Sequence, residues 1–354
     1  EEEALVAFEI GHTSPAFRSF FGTNNGIGAQ GILIDGTEEQ KQKYVPRLAT
    51  GEVISSFCLT EPDVGSDAAS LKTRADKDGD HYILNGTKRY ITNGPEAGLY
   101  TVMARTDQSN KGAGGISAFI VEGDTPGLIR GTPDVKLRQN RAHVCDITFE
   151  DCLVPAENII GGKEGQGFKT AMKVLDRGRL HISAVCVGVA ERLIEDALRF
   201  AMERKQFGAP LVDHQLIQAM LADSRAEAFA GRSMVLEAAR SKDAGKNVSL
   251  DASCCKLFCA EMVGRVADRA ARRQGAVVER PAVGQRRAGA PVVPWTVDKG
   301  VRVTVDTLPT KTKKTENTKN GAASRSGQLE QLPFFVRKQK TSFQTMAKTV
   351  GFSH

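Results

Sequence analysis

Apolar positions change their spacing three times along the chain, and each change marks a region. Residues 1–52 read helical. Within them Thr37-Glu-Glu-Gln40 matches a capping box, in which the threonine hydroxyl and glutamine side chain satisfy amides at a helix start. Over 53–160 the period shortens, and β-branched residues and turn signals multiply. Strands are predicted at 54–59, 81–84, 88–91, 100–105, 116–121 and 143–149. Asp78-Gly79, Asn85-Gly86 and Gly114-Gly115 supply residues that tolerate the positive φ of tight turns. No long helical pattern alternates with these strands, so an antiparallel β domain is expected rather than a parallel sheet. Over 161–270 the helical period returns. Ile182, Val185, Cys186, Val189, Ala190, Leu193, Ile194, Ala197, Leu198 and Ala201 trace one stripe. Further helices are predicted over 216–240 and 251–270 with a loop at Gly245-Lys-Asn, the pattern of a bundle.

After Ala270 both periods vanish. Residues 271–294 are rich in Arg, Ala, Gly, Val and Pro, and 311–328 in Lys, Thr, Asn, Ser and Gly. Such segments bury too little to order themselves. Phe334-Phe335-Val336 is an isolated apolar patch, and 271–354 is expected to be a poorly ordered basic tail. The switch falls inside the helical run Val266-Ala-Asp-Arg-Ala270, which points to a reading-frame shift or an unrelated fused end. Resequencing the DNA across that run tests this.

Composition alters the picture in two places. The 354 residues, 40% hydrophobic and 25% charged, fit a soluble globular chain of two or three domains. No apolar run is long enough for a membrane span. The net charge of +6 is misleading, because 16 basic and 5 acidic residues lie from Ala271 onward. The first 270 residues carry 32 basic and 37 acidic ones, and a mildly acidic body gives no reason to expect nucleic-acid binding. The opening Glu1-Glu-Glu-Ala-Leu has no signal-peptide character and no initiator Met, so an upstream piece is expected to be missing. Seven cysteines without paired spacings predict free thiols in a reducing compartment. Cys254, Cys255 and Cys259 lack a zinc spacing, and Cys255 and Cys259 read as small core side chains. Gly26-Ile-Gly28-Ala-Gln-Gly31 fits G-x-G-x-x-G, but no strand precedes it and no βαβ unit follows. It reads as a glycine-rich helix terminus.

Two stretches carry the chemistry. Phe57-Cys-Leu-Thr-Glu-Pro-Asp-Val-Gly-Ser-Asp67 and Tyr90-Ile-Thr-Asn-Gly94 both end apolar runs with residues that offer hydroxyls, amides and bare backbone to a ligand. Their spacing resembles the flavin-contacting signature of the acyl-CoA dehydrogenases, a likeness that runs from about residue 10 to 270. Asp176-Arg-Gly-Arg179 resembles that family's acyl-CoA-contacting segment, at the start of the first bundle helix. Glu203-Arg-Lys-Gln-Phe-Gly208, followed by His214-Gln215, resembles the stretch that reaches a neighbouring subunit's FAD.

The resemblance implies an α+β fold: an N-terminal helical domain, a middle antiparallel β domain and a C-terminal helical bundle. It implies FAD as cofactor, an acyl-CoA substrate, an electron-transferring flavoprotein as acceptor and a homodimer or homotetramer. It also implies residence in the cytoplasm of a bacterium or the mitochondrial matrix of a eukaryote. Phe57, Leu59, Thr60, Gly65, Ser66, Tyr90, Ile91, Thr92, Arg204, Phe207 and Gln215 are the implied FAD contacts; Ser66, Asp176 and Arg179 are the implied substrate contacts. The hydroxyls of Thr60, Ser66 and Thr92 suit the polar edge of a flavin, and Gly65 permits close backbone approach. Tyr90 offers an aromatic face where family members often carry Trp, and Arg204 can fork onto a pyrophosphate.

In the family a carboxylate removes the α-proton of the thioester while the β-hydrogen leaves as hydride to the flavin. That base usually sits in a C-terminal Tyr-Glu-Gly-Thr, a string absent from this sequence. In a minority of members it sits inside the Asp-x-x-Arg segment, at the position of Gly178 here. No catalytic base is therefore assigned, and Glu279 is the first alternative to test. The expected activity is α,β-dehydrogenation of an acyl-CoA to the 2-enoyl-CoA. The alternatives are a catalytically impaired FAD- and acyl-CoA-binding remnant, or an aberrant product.

Overall fold

Four helices precede the sheet: α1 (Glu2–Gly11), α2 (Pro15–Gly22), α3 (Ala29–Asp35) and α4 (Glu38–Thr50). The computed structural model describes residues 1–137 and 139–273. The expected tail from 274 onward, with Glu279 and the Phe334-Phe335-Val336 patch, lies outside the described residues. The capping box of α4 forms as predicted: Gln40 N donates to Thr37 Oγ1 at 3.3 Å, and Thr37 N donates to Gln40 Oε1 at 3.0 Å. Gln40 Nε2 also donates to the carbonyls of Glu157 and Ile159, tying α4 to the end of the β domain. The G-x-G-x-x-G stretch spans a helix junction, as read: Gly26 is non-helical and α3 begins at Ala29. A π-type turn, Thr23–Gly28, runs into α3, and Gly28 lies so close to Ser55 that a Cβ there would meet Ser55 Oγ at 2.3 Å.

The β domain comprises β1 (Ser55–Cys58), β2 (Arg74–Asp78), β3 (His81–Thr92), β4 (Leu99–Arg105), β5 (Ile116–Glu122), β6 (Leu128–Arg130) and β7 (Val144–Pro155). The sheet order is β1-β4-β2-β3-β7-β6, with β5 on the other partner edge of β4. Most pairs are antiparallel, as expected, but β1 runs parallel to β4, and β2 touches β4 through Arg74 and Arg105. The two strands predicted at 81–84 and 88–91 are one. Asn85-Gly86 makes a bulge opposite β7, not a hairpin turn: Asn85 Nδ2 donates to Asp151 Oδ1 and Asp151 N donates to Asn85 Oδ1. Asp78-Gly79 does sit in the β2–β3 hairpin turn, with Gly79 at φ 58°. Gly114-Gly115 lies in a 3₁₀ turn before β5, and neither residue has positive φ.

Beyond the sheet lie α5 (Gly167–Glu203), the hairpin β8 (Lys205–Gln206) and β9 (Ala209–Pro210), α6 (Gln215–Asp243) and α7 (Ser249–Arg273). The predicted stripe of α5 packs inward: Val185, Cys186, Ala190, Leu193, Ala197 and Ala201 are buried. Cys255 and Cys259 join the same core while Cys254 is exposed, and all seven cysteines are free. α7 runs through Ala270 to Arg273, and Ala271 is buried, so order continues past the position where the tail was expected to begin. The first helix belongs to this core as well. Ala4, Ala7 and Phe8 of α1 pack with α5–α7, and a Cβ on Gly188 would fall 1.9 Å from the carbonyl oxygen of Phe8. The two helices therefore cross backbone to backbone, at Gly11 and Gly188. Among the described residues no helix is long and apolar enough to cross a membrane.

Candidate functional site

The loop after β1 and the end of β3 are held against each other. Arg89 N donates to the carbonyl of Thr60 at 2.8 Å, and Ser56 Oγ donates to the carbonyl of Thr92 at 2.6 Å. The two motifs thus form one surface. Inside the loop, Glu61 and Val64 close a tight turn that leaves Gly65 and Ser66 exposed. Thr60 and Thr92 are half-buried. Phe57 and Leu59 are buried where the sheet meets α3, α4 and α5, and Ile91 is buried in the β core, which leaves mainly their backbones toward a ligand.

A second bulge presents Tyr90. The register jumps from Lys88 opposite Ile147 to Ile91 opposite Cys145, and Tyr90 takes a left-handed φ of 60°. The ring turns outward, 44% exposed, with the Arg89 guanidinium 4.7 Å from its centroid. Arg89 is itself fixed by Asp146 at 2.7 Å. Asn93, also left-handed, donates from Nδ2 to the carbonyl of Phe20 at 3.0 Å, which anchors α2 beside the motif. Its Oδ1 is buried without a partner. Bulges next to a site commonly re-aim a side chain, and this one does so for Tyr90.

The supporting residues escaped the sequence reading. Glu61 accepts from Lys88 Nζ at 2.8 Å, Thr73 Oγ1 at 2.6 Å, Thr73 N at 2.9 Å and Lys72 N at 2.7 Å, and both Glu61 and Lys88 are buried. Burial pushes the Glu61 carboxyl up, but Lys88 and the hydrogen bonds outweigh it, so Glu61 lies below the usual carboxylate range. Burial pushes the Lys88 ammonium below its ordinary value despite Glu61. Arg105, buried, donates to the carbonyls of Ala69 and Leu71 and pins the far end of the loop. The signal was present: Lys88 occupies an inward position in a strand whose other inward residues are apolar.

Asp176 and Arg179 pair with each other on α5, about two turns inside the helix rather than at its start, and Ser249 at the head of α7 donates to the same carboxylate. A Cβ on Gly178, between them, would lie 3.4 Å from Ile27 Cγ2, an ordinary van der Waals contact. Among the described residues no cluster of side chains could hold a metal ion.

Sequence models described as acyl-CoA dehydrogenase N-terminal, middle and C-terminal domains match residues 1–52, 56–152 and 165–278. An acyl-CoA dehydrogenase of Bacillus subtilis (strain 168) is 41% identical over 263 residues, covering 74% of this chain and 69% of its own. The chain belongs to the acyl-CoA dehydrogenase family. The mitochondrial isobutyryl-CoA dehydrogenase of Dictyostelium discoideum is 43% identical over 267 residues, covering 75% of this chain but only 62% of that protein. The butyryl-CoA dehydrogenase structure from Megasphaera elsdenii superposes with a TM-score of 0.74 at 38% identity, covering 77% of this chain and 71% of that one.

These dehydrogenases are flavoproteins whose cofactor is FAD. The residues present fit such a group. The exposed Tyr90 ring, the exposed Ser66 and the unpartnered Asn93 Oδ1 offer an aromatic face, a hydroxyl and an acceptor within one motif surface. The remaining residues matched to the family's FAD contacts lie elsewhere. Arg204 caps α5, Phe207 and Gly208 form the turn of the β8–β9 hairpin, and Gln215 opens α6. Along α5, Arg204 is about 42 Å from Asp176 at 1.5 Å per residue. Within one chain the structure does not bring these residues to the first surface. Phe207 is 95% exposed and has φ 53°.

Proposed function

We propose that this chain binds FAD and an acyl-CoA thioester for α,β-dehydrogenation of the acyl group. The observation that supports the reading is the junction of the two motifs, with Arg89 N on the Thr60 carbonyl and Ser56 Oγ on that of Thr92. When bound, FAD accepts the β-hydrogen as hydride. The chain's own share is positioning. The Ser66 and Thr92 hydroxyls and nearby amides hold the polar edge, Tyr90 covers a face, and Asp176 and Arg179 orient the thioester. Arg204, Phe207 and Gln215 serve the site of a second copy, so the working form is at least a dimer. The acceptor is an electron-transferring flavoprotein, and the compartment is a bacterial cytoplasm or a mitochondrial matrix.

Proton abstraction is the weak point. Gly178 offers no carboxylate, and that of Asp176 is engaged by Arg179 and Ser249. A general base contributes about 10²–10⁴-fold, so this chain is expected to bind acyl-CoA yet oxidise it slowly. Purified protein should carry a flavin absorbance band, and anaerobic acyl-CoA should leave it oxidised or bleach it slowly. Protein that takes up no flavin would overturn the reading. Rapid bleaching would reveal a base elsewhere, with Glu279 the first residue to replace.

A further inference from the structure

Of α2, only Gly22 is buried. Phe17 and Phe21 stack on each other with ring centroids 6.2 Å apart, and Phe17 stays exposed. An eight-residue helix that buries so little apolar surface does not hold its own place, so polar ties decide where it sits. Asn93 Nδ2 donates to the Phe20 carbonyl at 3.0 Å, Ser19 Oγ donates to Gln139 Oε1, and Arg18 Nη2 donates to His181 Nδ1 at 3.2 Å. The first tie comes from the flavin motif, the second from a loop and the third from α5.

Asn93 holds its end rigidly. It is fully buried, with a left-handed φ of 61°. Its N donates to the His143 carbonyl at 3.0 Å, its carbonyl accepts from Glu96 N and Ala97 N, and its Nδ2 also reaches the Ser55 carbonyl at 3.4 Å. The aim of the side chain therefore follows the backbone of residues 90–94, the stretch expected to carry the flavin. At the other end of α2, His181 lies two residues beyond Arg179, on the helix with the expected acyl-CoA contacts. Burial, with Arg18 and Arg177, drives His181 down to about 4, so it is neutral at ordinary pH and accepts from Arg18. One loosely packed helix thus touches both halves of the proposed site.

We propose that Asn93 is a positioning residue that latches α2 to the flavin motif and so couples the binding of FAD to that of acyl-CoA. The latch rests on the FAD and acyl-CoA reading and adds the residue that joins its two halves. α2 has a docked and a released state, and a ligand that stills the motif raises the docked fraction. By linkage the effect is mutual: acyl-CoA tightens FAD by the factor with which FAD tightens acyl-CoA.

The test measures the Kd of butyryl-CoA by calorimetry on the full chain, with and without saturating FAD. In the unaltered chain FAD should tighten butyryl-CoA about tenfold, the usual scale of coupling between two sites. Asn93→Gly keeps the left-handed backbone and removes the side chain, while Asn93→Asp keeps the shape and removes the donor. Both should bring the factor below about threefold, the loss expected when a buried hydrogen bond goes. Ser19→Ala cuts a tie that does not come from the motif and should weaken butyryl-CoA alike with and without FAD. No coupling in the unaltered chain, or a factor that survives both Asn93 substitutions, would overturn the latch alone. FAD-loaded protein that binds no butyryl-CoA would overturn the acyl-CoA reading and the latch with it. If both variants fail to fold, hydrogen exchange on the unaltered chain decides: FAD should slow the α2 amides about threefold or more, and unchanged exchange would overturn the latch.

Discussion

Lys88 places a charge where the alternation of β3 calls for a hydrophobe, and its partner Glu61 belongs to the first motif. Removing one member of a buried pair commonly costs about 3–5 kcal/mol, because the other is stranded. Glu61→Ala should therefore lower the urea midpoint and, by freeing the loop that carries Ser66, lower the flavin-to-protein ratio. The pair also sets an acid limit. Because Glu61 is depressed in the fold, its stabilisation is present above the ordinary carboxylate value and is lost as pH falls through the folded one. His181 acts in an earlier window. Between 6.5 and about 4 the unfolded chain takes a proton that the folded chain refuses, so stability falls as pH drops across that range. His181→Asn should flatten the loss in the earlier window and Glu61→Gln the later one, as read from denaturant midpoints against pH. Gly178→Glu tests the missing base. A Cβ is accommodated there, and bleaching of bound flavin by acyl-CoA should accelerate by about 10²-fold or more if the new carboxylate reaches the α-proton.

β3 shows what an element reveals and withholds. Its two stretches at 81–84 and 88–91 were legible as strand, as were the capping box, the helical stripe and both motif strings, while the inward place of Lys88 went unread. The bulges were not legible, because a residue pair that suits positive φ serves a hairpin and a bulge equally well, and only the distant partner β7 decides between them. β2 escaped for a related reason. Of Arg74-Ala-Asp-Lys-Asp78 only Ala75 is buried, so the strand exists through backbone pairing that no side-chain alternation announces. The motif hydroxyls could be named from sequence, but the ion pair beneath them joins residues that local spacing does not connect. Gly86 is the exposed nerve of this element. It adopts φ 147°, and a Cβ there would press on Thr73 Oγ1 at 2.6 Å. Gly86→Ala should cost more than about 1 kcal/mol and, because Thr73 holds Glu61, should loosen flavin as well. Thermal unfolding with and without added FAD would show both effects.

At the level of the whole molecule, the β8–β9 hairpin presents a bulky ring on a backbone that disfavours it. Phe207 and Gly208 both have positive φ, the pattern of a turn that ordinarily takes Asn-Gly. A strained backbone of this kind costs of order 1–3 kcal/mol. Phe207→Asn should raise the melting temperature of the isolated chain. If the ring docks on a second copy, the same change should weaken self-association in sedimentation equilibrium, and unchanged association would remove the hairpin from the interface. The backbone-to-backbone crossing of α1 and α5 bears instead on biosynthesis. Gly11 waits for Gly188, so the first helix leaves the ribosome long before its groove exists. At about 5–20 residues per second it spends roughly ten to forty seconds unsheltered, a window in which a chaperone or a protease meets it first.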